Sequence, residues 1–123
     1  MESFLNTQPI YLQIIDMIKR KIATAALQPG QPFQPVRELA MELKVNPNTV
    51  QRALSELERE GYVRSERTIG RYVTNDQALI AELHTILFKE ATDHYLAVVK
   101  QLNVKDDEVI ATVKHRLKGV HHD

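Results

Sequence analysis

The chain has 123 residues, 43% of them hydrophobic, which is enough for one small core or a small domain with an appendage. Sixteen basic residues balance sixteen acidic ones and there is no cysteine, so disulfides and thiolate zinc sites are excluded and a reducing compartment is compatible. No apolar run has the length of a membrane span, and the N-terminus lacks the basic-then-apolar order of a signal peptide, so a cytoplasmic protein with no membrane partner is expected.

The first predicted element is a helix over residues 9–26, "PIYLQIIDMIKRKIATAA". Ile10, Ile14, Met17, Ile18, Ile22 and Ala25 recur at spacings near three and four, which puts them on one face. Pro9 suits a first helical position, where its missing N–H costs nothing. Three prolines and a glycine in "LQPGQPFQP" then predict a loop. A second helix should start near Pro35 and end by Lys44, burying Val36, Leu39, Ala40 and Leu43. After a tight turn, Asn46 is placed to cap a third helix, with Pro47 at its first position and Gly61 as its C-terminal cap. Val50, Ala53, Leu54 and Leu57 form its inward stripe.

Two extended pieces follow, "YVRSE" (62–66) and "RYVTN" (71–75), joined through "RTIG", whose Gly70 can take a positive φ. A lone hairpin is marginal, so this one should pack on the helices before it, with Tyr62 and Tyr72 as packing residues. A long helix is expected from Asp76 to about Leu102, a break at Asn103, and a last helix over roughly 106–117. Leu79, Leu83, Ile86 and Leu87 form one stripe of the long helix. Phe88, Ala91, Tyr95, Val98 and Leu102 form another. In the last helix Val109, Ile110, Val113 and Leu117 are the apolar side, and Asp106, Asp107 and Glu108 complement the helix dipole at its start.

Helix, tight turn, helix and hairpin is the order of a winged helix-turn-helix. The expected fold is therefore mainly α with a small β-hairpin: a winged helix-turn-helix DNA-binding domain over residues 1–75, followed by a two-helix C-terminal dimerisation tail over residues 76–123. In that fold the second helix of the pair enters the major groove and its N-terminal residues meet the base edges. With Val50, Ala53, Leu54 and Leu57 buried, helix 46–60 displays Asn48, Thr49, Gln51 and Arg52. Asn and Gln can pair bidentately with adenine and Arg with guanine, while Thr can touch a base or a phosphate. The free N–H groups at the helix start can sit on a phosphate. Charge points mildly the same way, since residues 1–75 hold ten basic and eight acidic side chains and residues 76–123 hold six and eight. Arg67 and Arg71 on the hairpin add candidate DNA contacts, Arg64 is a weaker one, and Tyr11 and Gln13 of the first helix are weaker candidates for a phosphate contact.

The linked stretch "VRELAMELKVNPNTVQRALSELEREGYV", followed by "RTIGRYV", resembles the GntR family of bacterial transcription regulators, and the tight Asn-Pro-Asn-Thr-Val form is similar to that of its YtrA-type subgroup. The resemblance covers residues 9–74, and also 76–118, because that subgroup carries a short two-helix tail. It implies that Arg37 contacts DNA from the start of the second helix. It also implies that Asn46, Asn48 and Thr49 open the recognition helix, and that Arg67 and Thr68 form the tip of a wing on the minor groove. Gln51 stands where many members carry a base-reading arginine, and Arg52 is the neighbouring basic residue typical of the subgroup. The plainer accounts are that Arg37 pairs with Glu38 or Glu42 and that Asn46 is only a cap. Three positions depart from the family pattern. "FQPVR" replaces Leu-Pro-Ser before Val-Arg, which removes the serine cap of the second helix. Thr68 replaces a wing glycine, which puts close backbone approach to DNA in question. Lys44 replaces a glycine, which predicts a strained turn.

One recognition helix reads few base pairs, so a homodimer on an inverted-repeat operator is expected, with the stripe Phe88, Ala91, Tyr95, Val98, Leu102 as its interface. The family resemblance implies the same, and adds a role as repressor. The partners are thus double-stranded DNA and a second copy of the chain. A small-molecule effector is a third possibility, with little room in a two-helix tail unless it binds between subunits or against the winged domain. No cofactor or metal is expected. His84 and His94, ten residues apart on one helix, are too far apart to share an ion within one chain, and His121 and His122 read as a solvated terminal pair. The absence of a cysteine and of a glycine-rich phosphate loop argues against an enzyme. The rival reading is a winged-helix module that binds protein. It would want an apolar or acidic recognition face, which Asn48, Thr49, Gln51 and Arg52 do not provide.

Overall fold

The structure is a computed structural model that describes residue 4 and residues 7–121, the last two by backbone alone. Seven elements follow in order: α1 (Ile10–Ala23), α2 (Val36–Leu43), α3 (Pro47–Arg59), β1 (Val63–Glu66), β2 (Gly70–Val73), α4 (Gln77–Lys100) and α5 (Asp106–His121). The chain divides into two compact units after Ile86, within α4. The boundary expected from sequence lies at 75/76. The first turns of α4 belong with the winged region because Leu83 is almost fully buried, at 1% exposure, and Leu79 lies against Gly61.

The core of the first unit follows the predicted stripe of α3 in full and that of α2 only in part, since Ala40 is buried while Val36, Leu39 and Leu43 are half-buried. Ile14, Ile18 and Ile22 of α1 and Val50, Ala53, Leu54 and Leu57 of α3 are buried, together with Ala40, Tyr62, Val63, Val73 and Leu83. In α1 the face is rotated slightly from expectation. Gln13 and Ile15 are buried, Ile10 is exposed and Met17 is half-buried. Gln13 is tolerated there because its side chain donates to the Gln8 carbonyl at 2.9 Å. Pro9 stands one place earlier than predicted, at the N-cap, and its carbonyl accepts from Leu12 and Gln13. The helix also ends earlier, at Ala23 rather than 26, because Ala25 takes a left-handed conformation with φ 63 and the Leu27 N–H turns back to the Lys21 carbonyl at 2.9 Å.

The turn between α2 and α3 explains one of the departures. Lys44 is left-handed, with φ 60 and ψ 46. Its N–H donates to the Met41 carbonyl and the Val45 N–H donates to the Ala40 carbonyl. That pair of bonds is a Schellman cap, whose pivotal residue is usually glycine because a Cβ in this conformation is crowded by the backbone. Gly61 makes the same cap at the end of α3, with φ 90 and bonds from Gly61 and Tyr62 to the carbonyls of Glu58 and Leu57. The start of α2 is also as the missing serine predicts: Pro35 occupies the N-cap and no side chain caps it. The Leu39 N–H reaches the Pro35 carbonyl at 3.0 Å, and the Gln34 side chain bonds Glu42 instead.

β1 and β2 are antiparallel, with Val63 opposite Val73 at the buried base and Glu66 opposite Gly70 at the tip. The strands are shorter than predicted, and Gly70 lies in the ladder rather than in the loop. Thr74, predicted as strand, instead buries its side chain and accepts from the Asp76 N–H at 3.1 Å, which turns the chain toward α4. Asp76 then caps α4 by accepting from the Leu79 N–H at 3.0 Å. The loop before α2 adds an edge that the sequence did not reveal. Gly30 and Phe33 donate to the carbonyls of Val73 and Arg71, and Val73 donates to that of Gln31. Together with the Pro32–Tyr72 bridge, these bonds hold the hairpin from its second side.

In the second unit α4 stops at Lys100, two residues before the predicted end. Asn103 breaks the chain with a left-handed φ of 56, as placed from sequence. α5 starts at Asp106 and runs to His121, four residues past expectation. Phe88, Tyr95, Val98, Leu102, Ile110, Val113 and Leu117 are all exposed within the single chain.

Candidate nucleic-acid interface

α3 owes its orientation to its apolar stripe. Burial of Val50, Ala53, Leu54 and Leu57 leaves Asn48, Gln51 and Arg52 exposed and Thr49 half-buried. Asn46 caps the helix as expected: its Oδ1 accepts from the Asn48 N–H at 2.7 Å. That bond uses the side-chain oxygen, and among the described residues the amide nitrogen has no partner and can still donate.

Charge is segregated along this helix. Its first turn contains no acidic residue, and its carboxylates, Glu56, Glu58 and Glu60, gather at the other end with cations beside them. Glu56 takes a 2.8 Å bond from Arg59, which holds its carboxyl below the usual carboxylate range and the guanidinium above its own. Glu60 pairs with Lys19 of α1 at 3.3 Å, and Glu58 pairs with Arg71 of β2 at 3.3 Å. The first turn of α3 therefore carries no carboxylate of its own and presents the positive end of the helix dipole.

Two exposed side chains of α3 are held by other elements. The Arg52 guanidinium lies 3.7 Å from the centre of the Tyr11 ring, within cation–π range. Gln51 donates from Nε2 to Ser55 Oγ at 3.2 Å and accepts at Oε1 from Arg71 Nη1 at 3.3 Å. Arg71, a candidate DNA contact on the hairpin, is engaged by Glu58 and Gln51. Arg37 is exposed and makes no hydrogen bond or ion pair among the described residues, while Glu42, one partner proposed for it, is taken by Gln34. Arg67 and Thr68 stand exposed in the loop between the strands. Thr68 is absent from the positive-φ residues, so the turn keeps its form without glycine there and Gly70, at φ 85, supplies the reversal.

A family model for "Bacterial regulatory proteins, gntR family" matches residues 10–73, which take in α1 to β2. The chain belongs to the gntR family. It is a DNA-binding transcription regulator. It is 35% identical over 116 residues to the uncharacterized HTH-type transcriptional regulator YhcF of Bacillus subtilis, covering 94% of this chain and 96% of that protein. The HTH-type transcriptional repressor YtrA of the same organism is 35% identical over 117 residues, covering 89% and 90%. A solved GntR family transcriptional regulator from Listeria monocytogenes superimposes with a TM-score of 0.84 at 36% identity, over 91% of this chain and 98% of that one. The match to full-length relatives extends the likeness through α4 and α5, not only through the winged region.

The regulator thus brings Asn46, Asn48, Thr49, Gln51 and Arg52 together on one helix end, with Arg71 joined to them through Gln51. Arg37 lies on α2, and Arg67 and Thr68 lie on the wing loop. Sequence reasoning gave Tyr11 no role in orienting Arg52. No pattern could have supplied it, because the two residues lie 41 positions apart and meet only through the packing of α1 on α3. Among the described residues each unit carries an open groove. One of about 530 Å³ is lined by Met17, Leu27, Phe33, Leu39 and neighbours, and one of about 420 Å³ by Leu96, Val99, Val104, Val109 and neighbours. Among the described residues no group of three His, Asp or Glu can hold a metal ion. The His121 side chain and His122 lie outside the described residues. No described helix is long and apolar enough to cross a membrane.

Proposed function

We propose that this regulator acts as a cytoplasmic homodimeric repressor that reads an inverted-repeat operator. α3 lies in the major groove and the wing, residues 62–74, on the minor groove. The observation that supports this reading best is the carboxylate-free, exposed N-terminal end of α3 with its hydrogen-bonding set Asn48, Thr49, Gln51 and Arg52. Base edges are read by such side chains, and phosphates by the cations around them. Arg37 and Asn46 flank the set. Arg67 and Thr68 carry the wing contact, and Arg71 completes the footprint. The exposed stripe Phe88, Ala91, Tyr95, Val98 and Leu102 is the dimer interface in this reading, since a row of large apolar side chains in water wants cover. Repression follows the printed name of the YtrA relative. In this role the chain binds and does not catalyse.

The test is selection of binding sites from a random duplex pool at near-physiological salt. An enriched inverted repeat, with half-sites roughly 10 bp apart, is the expected result. Affinity for it should fall steeply as salt rises, because phosphate contacts release counterions. A pool that yields no enriched sequence, or binding indifferent to salt, would refute the operator-reading role and favour a protein-binding winged helix.

A further inference from the structure

We propose that Arg71 is a positioning residue for base recognition: from the wing strand it fixes the side-chain amide of Gln51 so that α3 offers a directed donor–acceptor pair to one base. The inference rests on the operator reading above. A glutamine amide is ambiguous on its own, because its oxygen and nitrogen ends have nearly the same shape and opposite hydrogen-bonding sense. Arg71 removes the ambiguity, since a guanidinium only donates and the amide atom facing it at 3.3 Å must be the oxygen. Ser55 Oγ holds the nitrogen end at 3.2 Å. Glu58 in turn holds Arg71 through Nε at 3.3 Å, and the Arg71 side chain is only 22% exposed, so it is braced rather than swinging free. Gln51 itself remains exposed, with one amide proton and one oxygen lone pair still unused. Those are the two groups that a bidentate contact to adenine requires. The wing therefore contributes to sequence choice through the recognition helix as well as at its own tip.

The decisive comparison uses Glu58→Gln/Arg71→Met, which removes the brace and its anchor together and leaves net charge unchanged, beside Gln51→Ala and the triple variant. Gln51→Ala first identifies the base pair whose preference it relaxes. The double variant should lower discrimination at that same base pair by about five- to tenfold, the scale of one weakened base contact. Its affinity for the operator should fall several-fold further than its affinity for random duplex, which separates lost discrimination from any loss of general DNA attraction. The triple variant should discriminate no worse than Gln51→Ala alone. In the free protein, the Gln51 side-chain NH2 resonances should shift and broaden in the double variant, a readout that needs no DNA. Equal losses on specific and random DNA with a shallower salt slope would make Arg71 a phosphate contact and overturn the proposal. Relaxation at a different base pair, additive with Gln51→Ala, would make it an independent reader and overturn it as well. If the unaltered protein shows no base preference at all, the operator reading fails, and the resonance result then shows whether the Arg71 brace exists regardless.

Discussion

The two units of this chain solve the burial of apolar residues in opposite ways. In the first, the stripes of α1 and α3 face one another and are covered by the hairpin and the first turns of α4, so Ile14, Val50, Leu57, Val63 and Val73 have no exposed surface at all. In the second, α4 beyond Ile86 and α5 leave Phe88 69% exposed and Leu102 68% exposed. The same 3.6-residue periodicity is legible in both. A helical stripe announces that a face wants cover without saying what provides it. In the winged unit the cover is local to the chain. In the tail two helices cannot enclose a core of their own, which is the physical reason for proposing a second copy.

Attacking the tail is the strongest way to break that contrast. Tyr95→Asp places a charge in the proposed interface, where desolvation without a partner costs several kcal/mol, so dimerisation should weaken by at least about a hundredfold. Sedimentation equilibrium reads this directly, and a dimer that persists would mean the stripe is not the interface. The complementary change in the winged unit is Leu54→Ala. It should cost about 2–5 kcal/mol of stability by thermal melting, through lost burial and the cavity left behind. Subunit association below the melt should be unaffected. A loss under about 1 kcal/mol would show that α3 does not anchor that core.

Function separates the units more finely. Arg52→Ala should weaken operator binding by about 1–3 kcal/mol and relax choice at one base pair per half-site, with dimerisation intact. Equal loss on random duplex would reduce Arg52 to a phosphate contact. Smaller effects come from the backbone. Lys44→Gly relieves the left-handed turn but frees the unfolded chain, and the net gain should be about 0.5–1 kcal/mol in denaturant titration. A destabilised variant would mean that Lys44 makes interactions outweighing the strain.

The smallest effect concerns pH. Burial raises the Tyr62 phenol, and the charges of Glu60 and Glu82 raise it further. The folded state therefore keeps this proton to higher pH than the unfolded chain, whose phenol titrates near about 10. The stabilisation is complete below that value and is lost as pH rises through the folded value. Tyr62→Phe should accordingly flatten the decline in stability above about pH 10. An unchanged slope would assign that decline to other groups.

Much of this was written in the chain at short range. The inward stripe of α3, its Asn46 cap and Pro47 start, the Gly61 terminator, the break at Asn103 and the acidic opening of α5 depend on residues within a few positions of each other. So do the candidate base readers, because fixing one face of a helix fixes the opposite one. Even a departure from the family pattern was informative: Lys44 in place of a glycine predicted a strained turn, and the residue is left-handed there. Tertiary structure alone decided the rest. It ended α1 at Ala23 and gave the hairpin an edge from residues 30–33. It also seated Arg52 on Tyr11 and tied Arg71 to Gln51 rather than leaving it at large on the wing. Those contacts join residues distant in sequence, and a donor or a ring finds its partner only where packing brings the two within reach.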